Sequence, residues 1–166
     1  SPVTARWHAA DIAGALPGLA PADLVTAAYV VNELAPDAVP GLIDRLWDLT
    51  LGMLVVVEPG TPAGYGRILA IRARLIALGA HIVAPCAHAR PCPLVQPDWC
   101  HFGERVSRSR LHRIAKRAEV PWEDERYIAL AAARFEALPA AARIVAPVRS
   151  GSGHSTFKLC TPDGTI

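Results

Sequence analysis

Apolar and polar positions follow two rhythms over the first half of the chain. In DLVTAAYVVNEL, residues 23–34, an apolar run from Leu24 to Val31 stops at the polar pair Asn32 and Glu33, which predicts a short buried strand. Residues 38–50 then place Leu42, Ile43, Leu46 and Trp47 on one face of a helix, with Pro40 in the first turn, where no intrahelical N–H is needed. GMLVVVEPG, 52–60, is almost continuously apolar, the pattern of a central parallel strand covered on both faces. Ile68, Ile71, Leu75 and Leu78 predict a second helix over about 64–78, with Gly79 as its stop signal. HIVAP, 81–85, reads as a third strand. The order strand–helix–strand–helix–strand with short connections predicts a doubly wound α/β sheet.

Past residue 85 the pattern changes. Two stretches, 104–118 and 122–137, read as helices, and ARIVAPVRSGSGHSTFKLC, 142–160, alternates like β structure around a Gly/Ser turn. The expected organisation is a core over 1–85, followed over 86–166 by a cysteine-rich region with a basic helix and a β tail.

Composition narrows the class. A chain of 166 residues with 52% hydrophobic and 19% charged residues is a globular domain and not a disordered tail. At this length folding buries roughly 70% of the unfolded surface. The net charge of +2 singles out no partner. No apolar run approaches the ~20 residues that cross a bilayer, so no membrane partner is expected. SPVTARWHAADIAGALPG at the N-terminus reads as neither a signal peptide nor a clear transit peptide. A reducing compartment is therefore expected, where cysteines serve as ligands more often than in disulfides.

APCAHARPCPLVQPDWCHF, 84–102, holds three of the four cysteines. The full spacing is C-x5-C-x7-C-x59-C over Cys86, Cys92, Cys100 and Cys160. Four thiolates complete a shell for tetrahedral zinc or for an iron–sulfur cluster. There is no C-x2-C pair of the zinc-knuckle kind, and the wider gaps suit ligands that wrap a larger object. Spacing alone leaves zinc and iron–sulfur open. The bland alternative is a set of ordinary buried thiols. His88 and His101 are alternative ligands, since neutral imidazole also binds zinc. Prolines 85, 91, 93 and 97 stiffen the loop and reduce the entropy lost when ligands converge.

EPGTPAGYGRI at 58–68, IVAPCAHARPCPLVQPDWCHF at 82–102, RVSRSRLHR at 105–113 and the late cysteine of FKLC together resemble one family. It is the methyltransferase-like assembly-factor family of the mitochondrial small ribosomal subunit, with its bacterial homologues. The resemblance implies a class I S-adenosylmethionine-dependent methyltransferase fold, Rossmann-like, carrying a 4Fe–4S cluster on Cys86, Cys92, Cys100 and Cys160. It also implies association with the small ribosomal subunit and its rRNA in assembly and translation. The expected location is cytoplasmic in a bacterium and mitochondrial in a eukaryote.

The chain departs from that pattern at its start. The Gly-rich turn that binds S-adenosylmethionine after a first strand is not found upstream of DLVTAAYVVNEL. The expectation is the C-terminal half of such a sheet, with cofactor binding requiring a further N-terminal part. Asp11, in AADIAGALP, is placed by the resemblance near the adenine, and Asn32, Glu33 and Glu58 at strand ends facing cofactor and substrate. The competing reading of the last three is capping or turn structure. Gly60, Gly64 and Gly66 are read as shaping a turn and not a phosphate loop.

RVSRSRLHRIAKR, 105–117, contains no acidic residue. As a helix it lines Arg105, Arg108, His112 and Lys116 along one face, and Arg113 adds to the charge. Such a stripe neutralises RNA phosphates. The competing reading is a solvated face paired with the EDE run at 123–125. Trp99 and Phe102 are candidates for base stacking or, on the competing view, for packing about the metal site. Three functions follow: a cluster-bearing assembly factor contacting rRNA, an active S-adenosylmethionine-dependent RNA methyltransferase, or a zinc-stabilised nucleic-acid-binding module.

Overall fold

Ala22–Ala28 (β1) pairs in parallel with Thr50–Pro59 (β2), Val25 opposite Leu54 and Ala28 opposite Val57. Between them a single 3-10 turn, Val31–Glu33, leads into the helix Val39–Asp48 (α1). The computed structural model describes residues 4–16 and 18–166. In it α1 buries Leu42, Ile43, Leu46 and Trp47, the four residues its periodicity singles out. Burying one such aliphatic side chain contributes about 1.5–3 kcal/mol.

The second helix, Pro62–Ala77 (α2), begins where Thr61 Oγ1 accepts the Gly64 N–H at 3.0 Å. That is an N-cap bond satisfying one of the unpaired amides of the first turn. The turn before it is tight. A Cβ at Gly64 would lie 1.9 Å from the Pro59 carbonyl oxygen, and one at Gly60 would lie 2.7 Å from Tyr127 N, whereas Gly66 meets nothing within 4 Å. Two of the three glycines therefore shape the turn, as expected. Gly79, at φ +82, ends the segment before the short strand His81–Ala84 (β3).

Leu54, Val56 and Glu58, alternate residues of β2, are buried with Ile68, Ile71 and Leu75 of α2 and with the apolar face of α1. The opposite face of β2, including Val55 and Val57, is half-buried. Cover on both faces was expected; full burial is found on one.

The stretch after the cysteine loop differs from its helical expectation. Phe102–Ser107 is a strand (β4), the helix is only Arg110–Ala115 (α3), and Trp122–Ala133 is a long strand (β5). Ser109 decides where α3 starts, its Oγ accepting the His112 N–H at 3.1 Å. β5 is Ala-rich, which favours a helix by propensity, but Ile128, Leu130 and Ala132 are buried at period two. Position in the sheet overrides propensity. β5 runs antiparallel between β2 and β3, Val56 opposite Leu130 and Ile82 opposite Ala132, and β4 pairs with its first half, Gly103 opposite Arg126. The result is a mixed five-stranded sheet that draws strands from both sides of residue 85.

The tail is β structure as expected. Arg143–Ile144 (β6) pairs with Leu159–Cys160 (β9), and Arg149–Gly151 (β7) with His154–Thr156 (β8). Among the described residues no helix is long and apolar enough to cross a membrane.

Candidate metal centre

Sheet register brings the first and third cysteines together. β3 ends with Ala84 opposite Ala131 of β5, and β4 begins with Phe102 opposite Tyr127. The whole loop 85–101 therefore leaves and rejoins one edge of β5 within four residues, roughly 13 Å. Cys86 stands just after the exit and Cys100 just before the return. Trp99 Nε1 donates to the Gly60 carbonyl at 3.0 Å, pinning the returning limb to the turn before α2.

Three contacts bring the distant cysteine to the same place. Cys160 pairs with Arg143 in the β6–β9 ladder. Lys158 forms an ion pair with Asp98 of the loop, and Arg90 Nη1 donates to the Asp163 carbonyl at 2.8 Å. His88 Nε2 then lies 3.3 Å from Cys160 Sγ.

All four cysteines are free thiols, and all four line one cavity of about 30 Å³, with Tyr65, Arg72 and Arg143 also in its wall. One water requires ~10–15 Å³. Yet among the described residues no three His, Cys, Asp or Glu side chains are gathered tightly enough to hold a single metal ion.

Burial pushes the Cys86, Cys100 and Cys160 thiols above their ordinary pKa. The Arg72 charge opposes this at Cys86, and Arg143 opposes it at Cys100. The other three thiols act electrostatically on Cys160, a further sign of how near they converge. Tyr65 donates its hydroxyl to Cys92 Sγ at 3.1 Å, and its pKa is raised by burial, then by Cys92. Burial, then the Arg72 charge, lowers the pKa of His88.

Arg72 is 5% exposed and donates to the His88 and Arg90 carbonyls at 2.6 and 2.9 Å. Arg72 Nε and Arg143 Nε are buried without a hydrogen-bond partner. Buried donors and cations are costly unless an anion meets them. A thiolate-held group of net negative charge fits this donor set, and Cys86, Cys92, Cys100 and Cys160 are the residues that would hold it. Metal entry would displace their protons. Tyr65, Arg72 and Arg143 were not legible as site residues. The one signal in the sequence is Arg72 itself, on the helical face of Ile68 and Leu75, where an arginine is out of place.

The remaining candidates scatter. Asp11 is exposed and its Oδ1 accepts the Ala13 N–H at 2.9 Å, closing a local turn. Asn32 donates to Glu33 Oε1 at 2.6 Å, both are exposed, and Asn32 lines a groove that also includes Gly66 and Arg67. Glu58 is fully buried and accepts from Arg67 Nε at 2.7 Å. His101 contacts the Trp99 carbonyl at 3.2 Å. Phe102 stacks on Tyr127 at 5.2 Å with Arg143 over its ring at 3.9 Å, which is a packing role.

The predicted basic face is divided by the strand. Arg105, on β4, pairs with Asp124 at 2.7 Å. Arg108 and Lys116 both pair with Glu123, at 3.0 and 2.9 Å. These ion pairs hold the Asp124 and Glu123 carboxyls below their ordinary pKa. Arg113 reaches only the Glu119 carbonyl, at 3.4 Å. With Arg110, Arg117 and Ile114 it lines an open groove along α3.

Fold and cavity define a mixed α/β protein with a four-cysteine centre at one edge of its sheet. The chain belongs to the family described as mitochondrial small ribosomal subunit Rsm22, whose profile matches residues 2–166. It is 29% identical over 155 residues to the human protein described as ribosome assembly protein METTL17, mitochondrial, a match covering 86% of this chain and 33% of that protein. The chain thus spans about a third of the length of the relative it matches.

Proposed function

We propose that this chain is part of a methyltransferase-like assembly factor of the small ribosomal subunit, in which a 4Fe–4S cluster held by Cys86, Cys92, Cys100 and Cys160 locks the loop 85–101 and the β tail against the sheet. The carrying observation is the convergence of four free thiols, three from the loop 85–101 and one from the β tail, on one cavity whose wall also carries Arg72 and Arg143, neither with a carboxylate partner among the described residues. Zinc, which thiolates bind at ~2.3 Å, is the alternative occupant of the same four thiols, and acid-labile sulfide distinguishes the two. When bound, a cluster supplies a four-point covalent cross-link and a one-electron couple.

The family and the human relative's description support the ribosomal role. In a eukaryote the protein would act in the mitochondrion, and in a bacterium in the cytoplasm. Contact with rRNA is assigned to α3, where Arg110, Arg113 and Arg117 have no acidic partner among the described residues, and less to Arg105, Arg108 and Lys116, which Asp124 and Glu123 neutralise. The test is anaerobic purification with iron, sulfide and visible absorption measured on the same sample.

A second reading, active methyl transfer from S-adenosylmethionine, draws on Asn32 and Glu33, both exposed after the carboxyl end of β1, with Asn32 lining a groove. Calorimetry with S-adenosylmethionine on the full-length protein tests it, and no heat of binding rules it out. Glu58 offers little to this reading, because Arg67 already neutralises it.

A further inference from the structure

Four side chains able to donate to sulfur stand around the four thiols. The Tyr65 hydroxyl donates to Cys92 Sγ at 3.1 Å, and His88 Nε2 lies 3.3 Å from Cys160 Sγ. Arg72 and Arg143 line the same cavity as Cys86 and Cys100. The four come from different places: two from α2, one from the loop and one from β6.

Neither arginine has a carboxylate partner among the described residues. Arg72 directs its known bonds to the His88 and Arg90 carbonyls, and Arg143 to the His101 carbonyl at 3.3 Å. Each still has an unpartnered buried Nε. A shell built only to fix the loop backbone would not need a phenol aimed at Cys92 or two uncompensated cations at the cavity wall.

We infer that Tyr65, Arg72, His88 and Arg143 form a donor shell around the four thiols, Tyr65 on Cys92, His88 on Cys160 and the two arginines in the cavity wall, and that this shell sets the reduction potential of the group those sulfurs hold. The inference rests on the cluster reading above. Hydrogen bonds to sulfur and nearby positive charge stabilise the more negative, reduced state and raise the potential. A charged donor acts more strongly than a neutral one.

The test is a dithionite titration of the purified full chain, followed by visible absorption and electron paramagnetic resonance. Tyr65→Phe removes one hydroxyl and no bulk, so its cluster content should match wild type while its potential shifts negative. Arg143→Met, at a half-buried position, should shift further negative, and Arg143→Lys should return most of the way. Wild-type potentials in Tyr65→Phe and Arg143→Met overturn the shell. Should Arg143→Met fail to fold, Tyr65→Phe decides alone, and an unmoved potential there overturns the inference. A wild-type chain that is colourless after anaerobic purification contradicts the cluster reading itself and removes the shell with it. A brown wild type with unmoved variants removes the shell only.

Discussion

His88 Nε2 lies 3.3 Å from Cys160 Sγ across 72 residues of chain. This contact joins the loop after β3 to the β tail, and with the Lys158–Asp98 ion pair it places the last thiol on the cavity of the other three.

On the proposed cluster reading, Cys160 is a ligand alongside the clustered cysteines. Cys160→Ser should lower iron content about as much as Cys86→Ser, measured by colorimetric iron assay on anaerobically purified protein. Iron equal to wild type in Cys160→Ser would remove it from the set. Stripping the metal with a chelator should raise hydrogen exchange in β6 and β9 while β1 and β2 stay protected, because metal binding and local folding are coupled.

The turn between β2 and α2 carries the sheet-to-loop geometry. Gly64→Ala would force a Cβ to within 1.9 Å of the Pro59 oxygen, a backbone clash at the severe end of the ~1–3 kcal/mol usual for overpacking. Gly66→Ala, inside α2 with nothing within 4 Å, should instead gain up to about 1 kcal/mol of helix propensity. Urea unfolding of the pair should give midpoints on opposite sides of wild type.

How much of this the sequence carried follows from which forces were local. α1, β2, α2 and β3 were legible from their apolar patterns, whereas β1, expected as a buried strand over Leu24 to Val31, is Ala22–Ala28 and buries only Ala27, because it lies at the edge of the sheet. β5 was not legible: Ala129–Ala133 reads as helix, and only its place between β2 and β3 makes it a strand. The same holds for Arg105, expected on a helix and found on β4, paired through the ladder with Asp124. The four cysteines singled out by their spacing line one cavity. Their donors were not legible, since Tyr65, Arg72 and Arg143 meet the thiols only through contacts distant in sequence.

The proposed RNA contact is placed on the α3 side accordingly. Arg110, Arg113 and Arg117 changed together to Glu should weaken RNA association in filter binding. Its dependence on salt should flatten by roughly 0.7 to 0.9 in log–log slope for each phosphate that is no longer neutralised. Arg105→Glu and Arg108→Glu should change it less, since each cation is already paired. The reverse ranking would return the interface to the β4 side.

Acid should loosen the α3 region first. The folded-state pKa of Glu123 is lowered by Lys116 and Arg108, and that of Asp124 by Arg105. A depressed carboxyl contributes stability above its unfolded pKa and loses it as pH falls through the folded value. Amide signals of α3 should therefore broaden below the ordinary carboxylate range while those of β2 persist, and salt should weaken the effect because the pairs are exposed.

Whether four sulfurs grip one inorganic core is decided by iron and acid-labile sulfide, quantified per chain on anaerobically purified wild type. A brown protein with about four of each is expected. One zinc without sulfide, or no metal at all, would contradict the cluster.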